Sequence, residues 1–380
     1  MANITMEQTL RTPFVTGVFS RLKPAGLMFQ NFYGLRPEAS PTERVPHRQF
    51  NYDIFDNTRT MSKVRAPMVG PARTAPKKIG LGTGHCLRMY ESISIPYEKV
   101  YNTRALGNSF GTIDATGQSY IARQQNYTAQ RMANSVEFMI SRMFRGGFSI
   151  LIDGDDHYLR EKDAGTVNVD FQIPSSHIDT VANVTGVSGD WSTAGTKIID
   201  QLNELNKISE RESGYAIHDF WINSSTYNGL IENNQLGDVR GTANRIFDTL
   251  NPTQVETADG PSRESGFSVT FGAMPLHRFH VYDGGLNVTT NVDSDDSGDF
   301  SLFIPDNRCI ATPPPGVGEW NGLAISQEPI RENDESPVKL VEGLGAWSKA
   351  TNDPPGEELR ILHNITPILY IPKAVWYLTV

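Results

Sequence analysis

The sequence contains few cysteines, no long apolar run and no recognisable targeting segment, and each absence excludes a class of protein. Its 380 residues include two cysteines, Cys86 and Cys309, which are too few for a disulfide framework or a zinc cluster. The most apolar stretch, residues 365–380, is interrupted by two prolines and a lysine, which excludes a membrane span. The N-terminus lacks the basic start and apolar run of a secretory signal. We therefore expect a protein that is made in a reducing cytoplasm and does not contact a membrane.

Charged residues are also scarce, and they are distributed unevenly along the chain. They make up 20% of the sequence, against about 25% in an average soluble domain. Residues 1–100 carry 14 Lys and Arg against 7 Asp and Glu, whereas residues 101–380 carry 20 against 36. Residues 57–90 contain no acid and seven bases, namely Arg59, Lys63, Arg65, Arg73, Lys77, Lys78 and Arg88. Such a basic segment binds either nucleic acid or the acidic surface of another copy of the same chain.

The length predicts two to three domains, and the first hundred residues predict extended parts beside them. Residues 1–48 contain five prolines and no sustained apolar period, which predicts an extended arm with one short helical turn near residues 7–11. Residues 49–62 and 86–101 have the alternating apolar residues of strands. The Gly- and Pro-rich residues 63–85 between them predict the basic tip of a long hairpin. Because isolated hairpins are marginally stable in water, this one needs a neighbouring surface to lie on.

The longest predicted helix covers residues 114–145. Asp114 can cap its start, Gly146 follows its end, and apolar residues from Met132 to Met143 recur close to every 3.6 positions. Its first half is polar and is expected to meet solvent or another subunit. Further helices are predicted at residues 193–211 and, after Asn223 as a cap, up to residue 234. Strands are predicted at residues 148–152, 166–173, 215–222, 267–271, 278–282, 300–304, 322–327, 358–362, 367–371 and 375–380. This mixed order predicts an α+β fold.

Two acidic clusters have the composition of metal sites, but local structure explains both more simply. Residues 153–157, Asp-Gly-Asp-Asp-His, offer the oxygen ligands that hard cations prefer. They lie between two predicted strands, however, and Asp-Gly is typical of a hairpin turn. Residues 293–299 resemble the start of a calcium loop, which requires a Glu at the position that Ile304 occupies here. A turn and a solvated loop are therefore predicted.

The remaining motifs predict no chemistry either. His277 and His280 have the wrong spacing for two ligands on one face of a strand. Residues 80–84, Gly-Leu-Gly-Thr-Gly, lack the Lys-Ser/Thr of a phosphate loop and are expected to be a flexible hairpin tip. Neither cysteine has a recognisable base beside it, so both are expected to be buried or inert thiols. The sequence thus predicts no catalytic residue, no metal site and no cofactor.

The order of elements resembles that of the major capsid proteins of tailed DNA phages, which have the HK97-like capsid fold. More narrowly, it is similar to the lambda-like major capsid protein E family. In this resemblance residues 50–104 correspond to the extended hairpin loop (the E-loop), residues 114–145 to the spine helix of the peripheral domain, and residues 193–234 to the opening of the axial domain. Residues 303–307, Phe-Ile-Pro-Asp-Asn, and the two apolar strands of residues 364–380 are similar to the family's late axial segment and its C-terminus.

The resemblance implies a division of the chain into four parts. These are an N-terminal arm (1–48), the E-loop hairpin (49–105), a peripheral domain (106–190, rejoined by about 345–365) and an axial domain (191–344, rejoined by about 366–380). The sequence departs from the family pattern with an acidic insertion near residues 283–299 and a proline-rich stretch at 313–318.

The resemblance also implies a structural protein rather than an enzyme. The chain is expected to assemble into hexamers and pentamers of an icosahedral shell around double-stranded DNA. The implied partners are other copies of itself, a separate scaffolding protein, a portal protein and a decoration protein at three-fold positions, with weak non-specific contact to the packaged DNA. The implied location is the virion, after assembly in the host cytoplasm. Two rivals stay open, a phage tail or baseplate protein and a metal-dependent enzyme that uses the acidic clusters.

The predicted functional site is the basic part of the hairpin. A DNA container should not bind its cargo tightly, since each neutralised phosphate adds salt-sensitive affinity, and the acidic residues 101–380 suit that requirement. The seven bases are therefore predicted to contact acidic residues of an adjacent subunit: Arg59, Lys63, Arg65, Arg73, Lys77, Lys78 and Arg88.

Overall fold

Two mixed sheets and one long helix organise the part of the chain that the computed structural model describes. That part comprises residues 27–35, 43–56, 62, 65, 79–98, 115–153, 156–233, 256–257, 260–261, 266–270, 277–287, 300–331, 338–352 and 355–380. Its α-helices are α1 (Met28–Tyr33), α2 (Ala115–Phe144), α3 (Val181–Thr185), α4 (Ile198–Ser213) and α5 (Ser224–Glu232).

Strands outnumber helices in these residues, which agrees with the predicted α+β class. They are β1 (Glu43–Val45), β2 (Gln49–Phe55), β3 (Ile79–His85), β4 (Leu87–Pro96), β5 (Gly147–Asp153), β6 (Asp156–Glu161), β7 (Val167–Asp170), β8 (Asp219–Ile222), β9 (Glu256–Thr257), β10 (Gly260–Pro261), β11 (Gly266–Thr270), β12 (Arg278–Tyr282), β13 (Gly285–Asn287), β14 (Phe300–Leu302), β15 (Arg308–Thr312), β16 (Asn321–Ile330), β17 (Lys339–Glu342), β18 (Leu344–Asn352), β19 (Pro355–Leu369) and β20 (Trp376–Thr379).

The larger sheet has six strands and is centred on β19. Strand β19 pairs antiparallel with β4, β16 and β18, while β16 also pairs with β1 and β17. The two strands predicted at 358–362 and 367–371 are therefore one strand. Pro367, which indicated a break, lies inside it opposite Leu323, where it removes one N–H donor from the ladder without ending the strand. Strand β16, predicted to belong to the axial domain, pairs with the same strand as β4 and β18.

The second sheet has five strands in the order β11, β12, β8, β15 and β20. Helix α4 covers it through Leu202 and Leu205, which are buried with Phe220, Val281 and other apolar residues of the sheet. The predicted glycine stop of α4 and the predicted cap of α5 are confirmed, whereas α4 begins at Ile198 rather than at the predicted residue 193. Gly214 ends α4 in the left-handed conformation, with φ 78°, and the Asn223 side chain caps α5 by accepting a hydrogen bond from the Thr226 backbone N–H at 2.9 Å.

Helix α2 lies within one residue of its predicted bounds and is about 45 Å long. The stripe from Met132 to Met143 is buried in the core, as its spacing predicts. One side of the first half of the helix packs on the larger sheet, since Ile121 is buried in a small cluster with residues of β4, β18 and β19. The other side faces away from the sheet, and the side chain of Tyr127 there is 59% exposed. The expectation that this half meets only solvent or another subunit is therefore wrong for its sheet-facing side.

Residues 27–35 do not form part of an extended arm. They contain α1, whose Met28 and Phe29 side chains are buried in the main core. The Phe29 ring lies 4.6 Å from the Trp221 ring and 5.4 Å from the Tyr282 ring, between centroids. The flanking prolines suggested an arm, but the apolar residues between them are enough for one buried helical turn. The turn predicted near residues 7–11 lies outside the described residues.

The acidic cluster at residues 153–157 follows β5, as predicted, but the next strand is β6 rather than the strand predicted at residues 166–173. Strand β5 ends at Asp153, β6 begins at Asp156, and these two residues are register partners. Strand β6 itself was not predicted, because its charged sequence hides the alternation. The later strand β7, Val167–Asp170, is shorter than the predicted 166–173.

Candidate functional site

The hairpin of the predicted site exists, but its second strand is not the predicted one. Strand β2 pairs with β3 over seven positions, from Gln49 opposite His85 to Phe55 opposite Ile79. Strand β4, expected to return along β2, pairs instead with β19 in the six-stranded sheet. The glycine-rich residues 79–85 are thus a strand rather than a flexible tip.

The glycines of β3 make room for the aromatic side chains of β2. Gly82 lies opposite Tyr52 and Gly84 opposite Phe50, and both aromatic rings are buried. A Cβ atom on Gly82 would lie 2.5 Å from Cζ of Tyr52, and one on Gly84 would lie 2.4 Å from Cζ of Phe50. The rings therefore cover the strand where side chains are missing, an arrangement that stabilises glycine-containing strand pairs. This packing, rather than phosphate binding, explains the Gly-Leu-Gly-Thr-Gly sequence.

A matched pair of glycine substitutions tests this packing. Gly82→Ala forces its new methyl group into the Tyr52 ring, and we expect a loss of about 1–3 kcal/mol in the free energy of unfolding. Gly80→Ala is the control, because its Cβ would lie at an ordinary 3.4 Å from Cβ of Ile54. Urea unfolding measures both, and equal stabilities of the two variants would contradict the account.

The outer face of the hairpin changes from polar to apolar along its length. Near its base, Asn51 lies opposite Thr83, and both are exposed. At its far end Phe55, Ile79 and Leu81 are 44%, 58% and 63% exposed. These three residues are called the apolar patch below. The patch adjoins residues 57–78, which carry most of the basic segment.

The base of the hairpin is fixed to the six-stranded sheet by Glu328. Its carboxylate accepts hydrogen bonds from Arg48 Nη2 on Oε1 and from Asn364 Nδ2 on Oε2, both at 2.8 Å. The Nε atom of Arg88 lies 2.8 Å from the same Oε1 atom. Arg48 precedes β2 and Arg88 lies in β4 just after β3, so one carboxylate holds the chain on both sides of the hairpin. The Cys86 N–H closes the base by donating to the Arg48 carbonyl at 2.7 Å.

Farther along, β2 is fixed to the C-terminal segment. The Phe55 N–H donates to the Tyr370 carbonyl at 2.8 Å, and Lys373 Nζ lies 3.2 Å from the Asp56 carboxylate. The Tyr370 hydroxyl donates to Glu43 Oε1 at 2.9 Å, and burial together with that carboxylate raises the pKa of Tyr370 well above its usual value. The described part of the hairpin thus lies against the body.

Of the seven predicted contact bases, two lie among the described residues. Arg88 is bound within the chain by Glu328, and its guanidinium carbon lies 4.6 Å from the centre of the Tyr90 ring. Arg65 is exposed. The other five lie outside the described residues, so their contacts stay a prediction: Arg59, Lys63, Arg73, Lys77 and Lys78.

The structure brings together one hydrogen-bonded Ser, His and Asp set that the sequence analysis missed. Ser268 Oγ lies 2.6 Å from His280 Nδ1, and His280 Nε2 lies 3.0 Å from Asp219 Oδ1. These residues occupy neighbouring positions on β11, β12 and β8, which only strand pairing reveals. The imidazole is buried and stacked on Trp221, and the guanidinium of Arg278 also binds Asp219, with Nε 2.9 Å from Oδ1. Burial lowers the pKa of His280, so the set holds three strands together around a neutral ring.

The other candidate residues are dispersed. His277 is buried but lies near His218 rather than beside His280, and burial lowers its pKa. Both cysteines are buried, as predicted, and burial raises the pKa of Cys86 to about 12. Within the described ranges, no group of three or more His, Cys, Asp or Glu side chains is placed to hold a metal ion. No helix there is both long and apolar enough to cross a membrane.

A family model matches nearly the whole chain, and two solved structures share its fold. Residues 16–380 match the family described as phage major capsid protein E. The crystal structure of a putative prophage capsid protein from E. coli CFT073 is similar over 98% of this chain and 99% of that one, with 13% identity and a TM-score of 0.54. A phage-related protein from Bordetella bronchiseptica RB50 is similar over 100% of this chain and 98% of that one, with 10% identity and a TM-score of 0.53. No curated protein matches the sequence.

Proposed function

Because the chain belongs to the phage major capsid protein E family and has the HK97-like capsid fold, we propose that it forms the icosahedral head shell of a tailed phage. Its role as a structural capsid protein follows from the family. The proposal adds that hexamers and pentamers of the chain enclose double-stranded DNA. The observation that carries it is the family match across residues 16–380, which includes the hairpin as well as the body.

The exposed end of the hairpin supports self-association. In a single chain the apolar patch of Phe55, Ile79 and Leu81 is exposed to water. Burying such apolar side chains would stabilise the protein. An adjacent subunit can cover the patch and pair its own acids with the neighbouring bases. The contacts of Glu328 with Arg48 and Arg88, called the Glu328 clamp below, support the same proposal. They fix the root of the hairpin to the sheet, so the hairpin loses less conformational entropy when it docks on a neighbour.

The charge distribution supports weak contact with the packaged DNA. Residues 101–380 carry 20 bases against 36 acids, so most of the chain repels a polyanion. The basic segment is the exception, and in the proposal it faces a neighbouring subunit rather than the DNA. Glu328 binds Nε of Arg88 within the chain, and the Arg88 side chain, 40% exposed, stays among the bases that the proposal places against a neighbour.

The proposal extends to partners and location. A separate scaffolding protein guides assembly in the host cytoplasm, a portal protein replaces one pentamer, and a decoration protein binds at three-fold positions of the virion shell. The chain does not act as an enzyme in this proposal. The buried, stacked imidazole of His280 supports that view, because Arg278 already neutralises its Asp219 partner.

The division into an N-terminal arm, hairpin, peripheral domain and axial domain is part of the proposal. The six-stranded sheet with α2 supports a peripheral domain, and the five-stranded sheet with α4 supports an axial domain. We place β16 in the peripheral domain because it pairs with β19, and α1 in the body because its side chains are buried there.

A charge-reversal experiment tests the hairpin contact separately from the shell function. The triple variant Arg73→Glu, Lys77→Glu and Lys78→Glu is expected to fold but to form no shells, because it places like charges against the neighbour's acids. The control reverses Lys207 and Arg211, two exposed bases of α4, and should assemble normally. Negative-stain images count the shells. Normal shells from the triple variant would contradict the contact, whereas failure of the unaltered chain to assemble would contradict the function.

A further inference from the structure

Glu137, in the C-terminal third of α2, is a buried carboxyl group that binds residues 27–35. Its side chain has no exposed surface. The Phe29 N–H donates to Oε1 at 2.7 Å, the Gln30 N–H donates to Oε2 at 3.1 Å, and the Tyr282 hydroxyl lies 3.2 Å from Oε1. The Gln30 side chain adds a bond of 2.8 Å to the Ala133 carbonyl, one turn earlier in α2. Two backbone and two side-chain contacts thus converge on one turn of the helix.

These contacts replace a cap that α1 lacks. The first N–H groups of any helix have no partner inside the helix, and Leu27, at the N-cap position, offers no side-chain acceptor. Glu137 supplies the acceptor from a different helix, more than a hundred residues away in sequence. Docked residues 27–35 therefore place two backbone N–H groups on a carboxyl group that is buried beneath them.

In the part of the chain that the structure describes, the groups that face this carboxyl group include no cation. On α1 these are two backbone N–H groups and the Gln30 amide, and on β12 it is the Tyr282 hydroxyl. On the same elements, Arg142 binds Glu161 and Arg278 binds Asp219. Burial therefore outweighs the hydrogen bonds and raises the pKa of Glu137 from its ordinary 4.5 to about 8.

We propose that Glu137 is a proton-controlled latch, which holds residues 27–35 on α2 while it is protonated and releases them when it loses its proton. The protonated group can donate to the Tyr282 oxygen and still accept from both backbone N–H groups. The ionised group accepts from both backbone N–H groups and from the Tyr282 hydroxyl, but it leaves a buried charge without a cation, which costs free energy.

The direction of the effect follows from linkage. The closed segment raises the pKa of Glu137, so closure is fully stabilised below pH 4.5 and loses that stabilisation as the pH rises through about 8. Opening uncovers the aromatic side chains against which Phe29 packs, chiefly Trp221 and Tyr282. The latch thus couples a single proton to the exposure of an apolar pocket and of residues 27–35.

Hydrogen exchange on the full-length chain tests the latch directly. Peptides that cover residues 27–35 are followed by mass spectrometry from pH 6 to pH 9, with rates corrected for the intrinsic pH dependence of exchange. The opening equilibrium of this segment should rise by about 100-fold over that range, while peptides of α4 stay unchanged. A flat profile for residues 27–35 would overturn the proposal.

Two variants distinguish the effect of Glu137 ionisation on opening from the effect of the hydrogen bonds. Glu137→Gln cannot ionise, and its opening should be independent of pH; a slope equal to that of the unaltered chain would overturn the proposal. Gln30→Ala removes the bond to Ala133, so the segment should open more at every pH with an unchanged slope.

If Glu137→Gln does not fold, infrared spectra of the unaltered chain decide. A protonated carboxyl band that is present at pH 6 and lost by pH 9 supports the latch, and its absence at pH 6 overturns it.

Discussion

Replacing Val136 by Asp should abolish soluble protein. Val136 has no exposed surface and lies in the main core with Met139, Met143 and Phe144 on the same helix. An aspartate there would bury a charge without a partner, at a cost of several kcal/mol. Since domains are stable by only about 5–15 kcal/mol, a loss of this size leaves too little stability for folding. Comparing the soluble and insoluble fractions after expression measures the effect.

The control for this experiment is the same substitution on the other side of the helix. Tyr127 is 59% exposed, so Tyr127→Asp should leave the chain soluble and cooperatively folded. Soluble Val136→Asp protein with the unfolding transition of the unaltered chain would contradict the assigned orientation of α2, and with it the position of the core.

Loss of stability in acid is the second large expected effect. His363 is buried in β19, and burial alone lowers its pKa to about 4. Its ordinary value is 6.5, so the neutral ring contributes full stability above pH 6.5, and this contribution is lost as the pH falls through about 4. The shift corresponds to about 3 kcal/mol. Between pH 7 and pH 4, the free energy of unfolding of His363→Leu should therefore fall by about 3 kcal/mol less than that of the unaltered chain.

Urea unfolding at several pH values measures this difference. His177 and His280 also have lowered pKa values because of burial, so the variant keeps some acid sensitivity. Glu137 acts in the opposite direction, because its raised pKa favours the folded state in acid, and it does so equally in both chains. His85→Leu, at an exposed position, is the control and should behave as the unaltered chain. An unchanged acid sensitivity of His363→Leu would contradict the account.

The sequence predicted those elements that depend on interactions between residues close together in the chain. The stripe from Met132 to Met143 predicted α2 because a 3.6-residue period fits only a helix with one buried face. Asn223 and Gly214 predicted helix ends because capping depends on neighbouring backbone groups. The α+β class followed from the order of such elements.

The features that the sequence did not predict depend on contacts between residues far apart in the chain. The glycines of β3 indicate a loop when considered alone, and they become intelligible only opposite the rings of Phe50 and Tyr52. Residues 27–35 looked like part of an arm because their partners, Glu137 and Trp221, lie far along the chain. Strands predicted in isolation carry no information about which edge they join, which is why β4 was assigned to the hairpin rather than to β19.

The sequence predicted a hairpin in this region but not how its base is built, and the contacts of its bases stay a prediction. The basic segment and its hairpin are visible in the sequence, since seven bases without an acid stand out from an acidic chain. The Glu328 clamp was not predictable, because it joins Arg48 and Arg88 to an acid about 280 and 240 positions away along the chain.

The mass of the purified chain in solution, with electron microscopy of the same sample, tests the proposed shell most directly. The account predicts closed shells, or rings of five and six copies of the 42.1 kDa chain with the hairpin of each copy lying on its neighbour. Particles of one to four chains at every concentration, without rings or shells, would contradict it.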